Sequence, residues 1–230
     1  DLAILPPMVP DLPQSAVVGP TLLTLGRAPG VAYDHHTLKL SGTADDGEVS
    51  LDGFTPPGPH NRENIAAATL LCLGAGLRRA DIDVTAVRAL PHRLQPVAES
   101  DGIRWVNDSK ATNVDAALVG ILGVSGPSIV LLGGEGKSGA DYESLSPALR
   151  ERARWVICFG RSGPDIASSL PHPGTLLVAG GLADAVDLAR ARAIAGDTVL
   201  LSPACASFDE FRDFEHRGDV FTTLAQREAT

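Results

Sequence analysis

At 230 residues, with 44% apolar and 20% charged side chains, the chain has the composition of a globular protein of one large domain or one and a half. Its 19 Lys and Arg against 28 acidic residues leave a formal net charge of −9, which argues against nucleic acid as partner, because phosphate binding leans on a basic surface. There is no run of 18 apolar residues and no charged-then-apolar leader, so a soluble protein with no membrane partner is expected. A cytoplasmic location, which suits reduced cysteines, and a monomer are also expected.

The opening, "DLAILPPMVPDLPQSAVVGP", holds apolar pieces broken by five prolines and begins without methionine, so it reads as the middle of a longer chain. From about 20 to 60, "LLTLGR", "GVAYDH", "TLKLSG" and "GEVSLDGF" are separated by Gly, Asp and Pro, which predicts small antiparallel strands. "NRENIAAATLLCLGAGL" then sets Ile65, Ala68, Thr69 and Cys72 at helical spacing and ends in Gly74 and Gly76, a helix with its stop. Asn61 could cap that helix. A second short helix is expected over 80 to 89.

After Leu90 the pattern changes. "SIVLLGG", "RWVICFG", "TLLVAG" and "TVLLSPA" are continuous apolar runs of strand length, as in strands covered on both faces. Between them, Val114, Ala117, Leu118, Ile121 and Leu122 form one helical face, and Leu182, Ala185, Val186, Ala189 and Ala193 another. Strand and helix alternating in this way predict an α/β fold with a mostly parallel sheet and a domain boundary near 88 to 92.

Such a sheet places ligands beyond the carboxyl ends of its strands. Three polar clusters fall there: "NDSKATN" after "IRWV", "GGEGKSGAD" after "SIVLL", and "SPACASFDEF" after "TVLL". Each alone has a local explanation, since Asn, Asp, Ser and Thr favour turns and caps, and Thr112 with Asp115 fits a capping box. Three at one edge point to a site. "GEGKS" is not a nucleotide P-loop, because Leu131 stands where the first glycine of G-x-x-x-x-G-K-[ST] belongs. Lys137 reads instead as a cation held at a strand end by flexible glycines. "CFGRSGPDI" is only a partial match to a dinucleotide fingerprint, which disfavours an oxidoreductase.

The remaining side chains have structural readings. Cys72, Cys158 and Cys205 are odd in number and embedded in apolar runs, which suits reduced core thiols. Phe208, Phe211, Phe214 and Phe221 lie at nearly helical spacing and are expected to be mostly core. For His60 and His92, loop packing is expected.

"GPHNRENIAAA", "LPHRLQPVAESDGIRWVNDSKATN", "LLGGEGKSGAD" and "LLSPACASFDEFRDFEHRGDVF" together resemble, in this order, the Mur ligases of peptidoglycan synthesis, most narrowly their D-glutamate-adding branch. The resemblance covers about residues 20 to 228. It implies that residues 1–89 are the tail of a central α/β ATPase domain and residues 90–230 a carboxyl-terminal Rossmann-like domain. It implies ATP-dependent amide formation, in which the alanyl carboxylate of UDP-N-acetylmuramoyl-L-alanine becomes an acyl phosphate that D-glutamate attacks. Lys110 and Lys137 would be the catalytic cations. By resemblance Lys137 and Thr112 hold one end of D-glutamate, Ser207 and the backbone near Phe214 the other, and Lys110 helps to orient it. Asn61 and Asn64 resemble adenine contacts, Asp108 the ribose-binding acid, and Arg93 an arginine reaching the ATP phosphates on domain closure. The P-loop and the Mg2+ ligands are expected upstream, with no metal ligands here. This chain alone would then be an amino-acid-binding fragment without turnover.

Overall fold

The computed structural model describes residues 2–5, 21–25, 30–34, 36–56, 59–171 and 175–227, so most of the proline-broken opening lies outside the described residues. The chain divides into two compact units, Asp1–Ala89 and Leu90–Thr230.

The first unit has five strands in sequential order: β1 (Leu2–Leu5), β2 (Thr21–Leu25), β3 (Gly30–Tyr33), β4 (Thr37–Ser41) and β5 (Gly47–Ser50). Antiparallel pairing holds for β3 with β4 and β4 with β5, but β2 with β3 is parallel, a correction to the antiparallel expectation for residues 20 to 60, and β1 with β2 is parallel too. Short apolar runs give no sign of their direction, which the connections decide. Leu38, Leu40 and Val49 alternate inward and pack against helix α1 (Pro59–Gly74).

The inward face of α1 is Ile65, Ala66, Thr69, Leu70 and Leu73; Ala68 is exposed and Cys72 half-buried, so the apolar stripe lies to one side of the expected one. Asn61 is the third residue of the helix rather than its cap. The expected stop is present as a Schellman motif: Leu77 N–H donates to Cys72 O and Gly76 N–H to Leu73 O, with Gly76 at φ +91°. In place of a helix over 80 to 89 the chain makes two 3-10 turns, Arg79–Asp81 and Val84–Ala86. Asp83 explains why, since its carboxylate accepts from both Thr85 N and Thr85 Oγ1 and competes with helical bonding.

In the second unit the strands are β6 (Gln95–Ser100), β7 (Ile103–Asn107), β8 (Ser128–Gly133), β9 (Ala153–Phe159), β10 (Leu176–Val178) and β11 (Thr198–Leu201). The helices are α2 (Val114–Gly123), α3 (Ser146–Arg152), α4 (Gly163–Ser169), α5 (Leu182–Arg192) and α6 (Phe214–Ala225). The sheet order is β10-β9-β8-β11-β7-β6, parallel except for β6, an unexpected edge strand that carries Pro96 and a register shift beside it. Each parallel strand is followed by a helix.

The sheet is covered on both faces. Val130, Leu132, Val156 and Leu200 pack with Ile121, Leu149 and Ile166 of α2, α3 and α4. Their strand neighbours Ile129, Leu131, Ile157 and Val199 pack with Leu182, Val186 and Phe221 of α5 and α6. The winding therefore reverses after β10, when the chain returns through α5 to insert β11 between β8 and β7. That insertion puts the carboxyl ends of β7, β11 and β8 side by side, and with them all three polar clusters.

Candidate functional site

The corner after β7 is built on buried polar side chains. Asn107 is fully buried, and its Nδ2 donates to Gly218 O at 2.9 Å and lies 3.1 Å from His92 Nδ1. Its Oδ1 accepts from Ser109 N at 3.0 Å, which turns the chain out of the strand. The helix that follows is capped by Asn113, whose Oδ1 accepts from Ala116 N, so the box expected from Thr112 and Asp115 does not form. Thr112 is thereby left half-buried beside α2 rather than consumed by the cap.

Asp108 is 7% exposed. One carboxylate oxygen accepts from Ser202 Oγ at 2.7 Å and the other from Leu94 N at 3.2 Å. Burial pushes its carboxyl up to about 6, against those two hydrogen bonds and the charge of Arg93, which pull it down. Gly120 of α2 exists for this contact, because a Cβ there would fall 2.3 Å from Asp108 Oδ2.

The loop after β8 depends on Gly133 and Gly134, at φ +152° and +123°. A Cβ on them would strike Phe159 O and Ala206 O, so these glycines serve close packing, not the flexibility expected of them. Glu135 makes an antiparallel bridge with Ala206, joining this loop to the one after β11. Beyond it Lys137 is exposed and lines a cleft of 470 Å3 with Thr112, Asn113, Asp115, Ser138 and Asp141. The larger cavity, 510 Å3 around Gly126 and Arg154, lies at the opposite edge of the sheet.

Lys110 is exposed and sets its ammonium 3.8 Å from the centroid of the Phe214 ring, a cation–π contact that fixes a long side chain otherwise free to rotate. Phe214 opens α6, and its carbonyl accepts from Ser109 Oγ at 2.8 Å. His92 packs edge-on against the same ring. Ser207 is 2% exposed and lies outside the cleft; its carbonyl accepts from Glu210 N and Phe211 N. Asn61 and Asn64 lie in the first half of α1, in the other unit, the first half-buried and the second exposed. Thr112 and Lys137 thus share one cleft, and Lys110 and Phe214 form a stacked pair.

Sequence reasoning missed Arg217. It is fully buried, and no carboxylate forms an ion pair with it among the described residues. Its Nε donates to Ser109 Oγ at 2.9 Å, Nη2 to Ser109 O at 2.8 Å, and Nη1 to Cys205 O and Ala206 O at 3.1 Å each. Burial pulls its pKa down to about 10, still cationic at neutral pH. The signal was its spacing from Phe214, Phe221 and Leu224, which sets an arginine on the apolar face of a helix. The phenylalanines themselves divide: Phe221 is core, while Phe208 is 67% exposed, contrary to the expectation that most are buried. All three cysteines are free, and burial pushes the Cys158 and Cys205 thiols up, which leaves them unreactive. Among the described residues no three His, Cys, Asp or Glu side chains are grouped so as to hold a metal ion, and none of the helices is long and apolar enough to cross a membrane.

Residues 92–205 match the family described as Mur ligase, glutamate ligase domain. A UDP-N-acetylmuramoylalanine--D-glutamate ligase of Aromatoleum aromaticum is 40% identical over 223 residues, covering 92% of this chain and 48% of that protein. The enzyme of the same name from Yersinia pestis is 47% identical over 174 residues, covering 74% and 39%. The chain spans about half the length, or less, of these curated relatives. Among solved structures, a MurF ligase from Thermotoga maritima in complex with ADP superposes with a TM-score of 0.62 at 16% identity, covering 91% of this chain and 50% of that one. A Mycobacterium tuberculosis folylpolyglutamate synthase complexed with ADP and AMPPCP gives 0.63 at 15%, covering 92% and 51%. At those identities the likeness is one of fold.

Proposed function

We infer that this chain, a member of the Mur ligases through the glutamate ligase domain of residues 92–205, is the carboxyl-terminal part of an ATP-dependent ligase adding D-glutamate to UDP-N-acetylmuramoyl-L-alanine. The observation that carries the reading is the meeting of Thr112 and Lys137 across one cleft at the carboxyl edge of the sheet. D-Glutamate brings two carboxylates to a protein of net charge −9, so it needs local cations and hydroxyl donors. Lys137 and Thr112 hold one carboxylate in this reading. The turn of Ser207 and the backbone at Phe214 receive the other, and Lys110, steadied on the Phe214 ring, orients the amine toward the acyl phosphate. Fixed charge at the developing negative centre supplies most of the rate.

Asp108, held ionised at a cost to folding, is read as the acceptor for ribose hydroxyls of ATP, Arg93 as a phosphate contact, and Asn61 and Asn64 as adenine contacts. The chain contains no P-loop sequence, and in this reading the triphosphate and its Mg2+ are held by the rest of the full-length protein. Taken alone, the chain binds the amino acid without turning over ATP. Lys137→Ala in the full-length protein tests the reading. A lost charge-assisted bond of about 2 kcal/mol raises KM for D-glutamate roughly thirty-fold with KM for ATP held. An unchanged KM for D-glutamate sinks the assignment.

A further inference from the structure

The turn Gly160–Ser162 between β9 and α4 carries the dinucleotide-like stretch "CFGRSG", and the proposed reaction leaves it unused. A dinucleotide loop keeps its backbone N–H groups free for pyrophosphate. Here they are occupied: Arg161 N donates to Asp209 Oδ2 at 2.9 Å, Ser162 N to Gly134 O at 3.0 Å, and Gly163 N to Gly160 O at 3.1 Å.

What the turn faces is the loop that bears Lys137. Ser162 Oγ accepts from Gly136 N at 2.8 Å, one residue before that lysine. A Cβ on Gly136 would fall 2.9 Å from Ser162 Oγ and 2.3 Å from Tyr142 Oη, so the peptide is seated against both. The Arg161 guanidinium ion-pairs with Glu135. On its other side the turn meets Asp209, two residues past Ser207, and a Cβ on Gly160 would fall 2.5 Å from Asp209 Oδ2. One short turn therefore touches both loops assigned to the two ends of the amino acid.

We propose that Arg161 and Ser162 are positioning residues for Lys137, fixing its loop over the cleft and referring it to the turn of Ser207. The proposal rests on the reading of Lys137 as a D-glutamate contact. The two residues contribute unequally. The Arg161–Glu135 pair is exposed, at 64% and 37% of the side chains, and such pairs contribute little. The Ser162 bond is partly enclosed and lies next to the lysine, so Ser162 dominates.

The test measures D-glutamate and ATP kinetics of the full-length ligase for Ser162→Ala, Ser162→Thr, Arg161→Met, Lys137→Ala and the Ser162→Ala/Lys137→Ala double variant. The expected result is KM for D-glutamate raised about ten-fold by Ser162→Ala and about two-fold by Arg161→Met, with KM for ATP unchanged. Threonine restores the wild-type value, and Ser162→Ala adds nothing once Lys137 is gone, because it acts through that side chain. A loss in kcat alone, equal losses for both substrates, or additive losses in the double variant overturn the proposal while leaving Lys137 a substrate contact. An inert Lys137→Ala overturns both. Should Ser162→Ala fold poorly, amide exchange at Gly136 in the threonine and Arg161→Met variants decides: protection kept with threonine supports the seat, and fast exchange in both refutes it.

Discussion

Replacing Asp108 by Asn should stabilise the second unit at neutral pH, which is the reverse of what losing a buried hydrogen-bonded carboxylate ordinarily does. The carboxyl titrates at about 6 when folded and near 3.8 when exposed, so it binds its proton more tightly in the folded state. Its contribution to stability is therefore fully present below pH 3.8, is lost as pH rises from there through 6, and is gone above that. The interval between 3.8 and about 6, at 1.36 kcal/mol per pKa unit, makes ionisation at pH 7.5 cost about 3 kcal/mol.

Asparagine keeps the acceptor for Leu94 N and can donate its amide to Ser202 Oγ, so it preserves both contacts without the charge. The assay is urea unfolding between pH 4 and 8, followed by tryptophan fluorescence. Trp105 and Trp155 both lie in the second unit, so the signal reports that unit alone. The variant should gain up to about 3 kcal/mol at pH 7.5, shrinking toward zero near pH 4. On the ribose-binding role proposed for Asp108, the same change raises KM for ATP in the full-length protein. A gap independent of pH, or a variant less stable at pH 7.5, refutes the reasoning.

Arg217→Met removes the donors from four acceptor contacts on Ser109, Cys205 and Ala206 and should destabilise the second unit by about 3 kcal/mol or more, read as a lowered urea midpoint in the same assay. A methionine variant as stable as the wild type would show that the carbonyls are satisfied without it. Limited proteolysis of this chain should leave a core of about 140 residues beginning near Leu90, because that unit has an apolar core on each face of its sheet while the described residues of the first form one smaller cluster. A surviving fragment that retains residues 1–89, seen by mass spectrometry, counts against it.

The parallel strands of the second unit were legible because they are buried on both faces and so read as unbroken apolar runs, and the positions of the three polar clusters followed from chain order. Strand direction in the first unit was not legible, since Leu, Val and Ala carry no mark of parallel or antiparallel pairing. The strand β6 was hidden by Pro96, which an edge tolerates and sequence rules penalise. Asn113 displaced Thr112 as the cap of α2 because both are good caps one residue apart, and only the backbone angle of the corner separates them. The glycines after β8 were misjudged for a related reason. Composition shows that a Cβ is missing, and only packing shows whether open space or another backbone lies where it would be.

Exposure does not decide which site candidates are legible, since Asp108 and Ser207 are buried, but the buried Arg217 that holds the corner carried no motif. Lys110 and Lys137 are exposed cations at the end of strands, which a motif can announce. Arg217 is buried beneath the same edge, and its charge is met by carbonyl and hydroxyl dipoles rather than by a carboxylate. The carboxylates of Asp209 and Glu210 act on that charge without pairing with it, which in the proposed reading leaves a cation beneath the place where an anionic amino acid enters. Asp108 shows the converse at the neighbouring corner, with a hydroxyl and an amide facing an acid that keeps its charge at neutral pH. Burying each charge costs stability, which the facing dipoles and the more distant opposite charges, Arg93 for Asp108 and Asp209 and Glu210 for Arg217, offset in part.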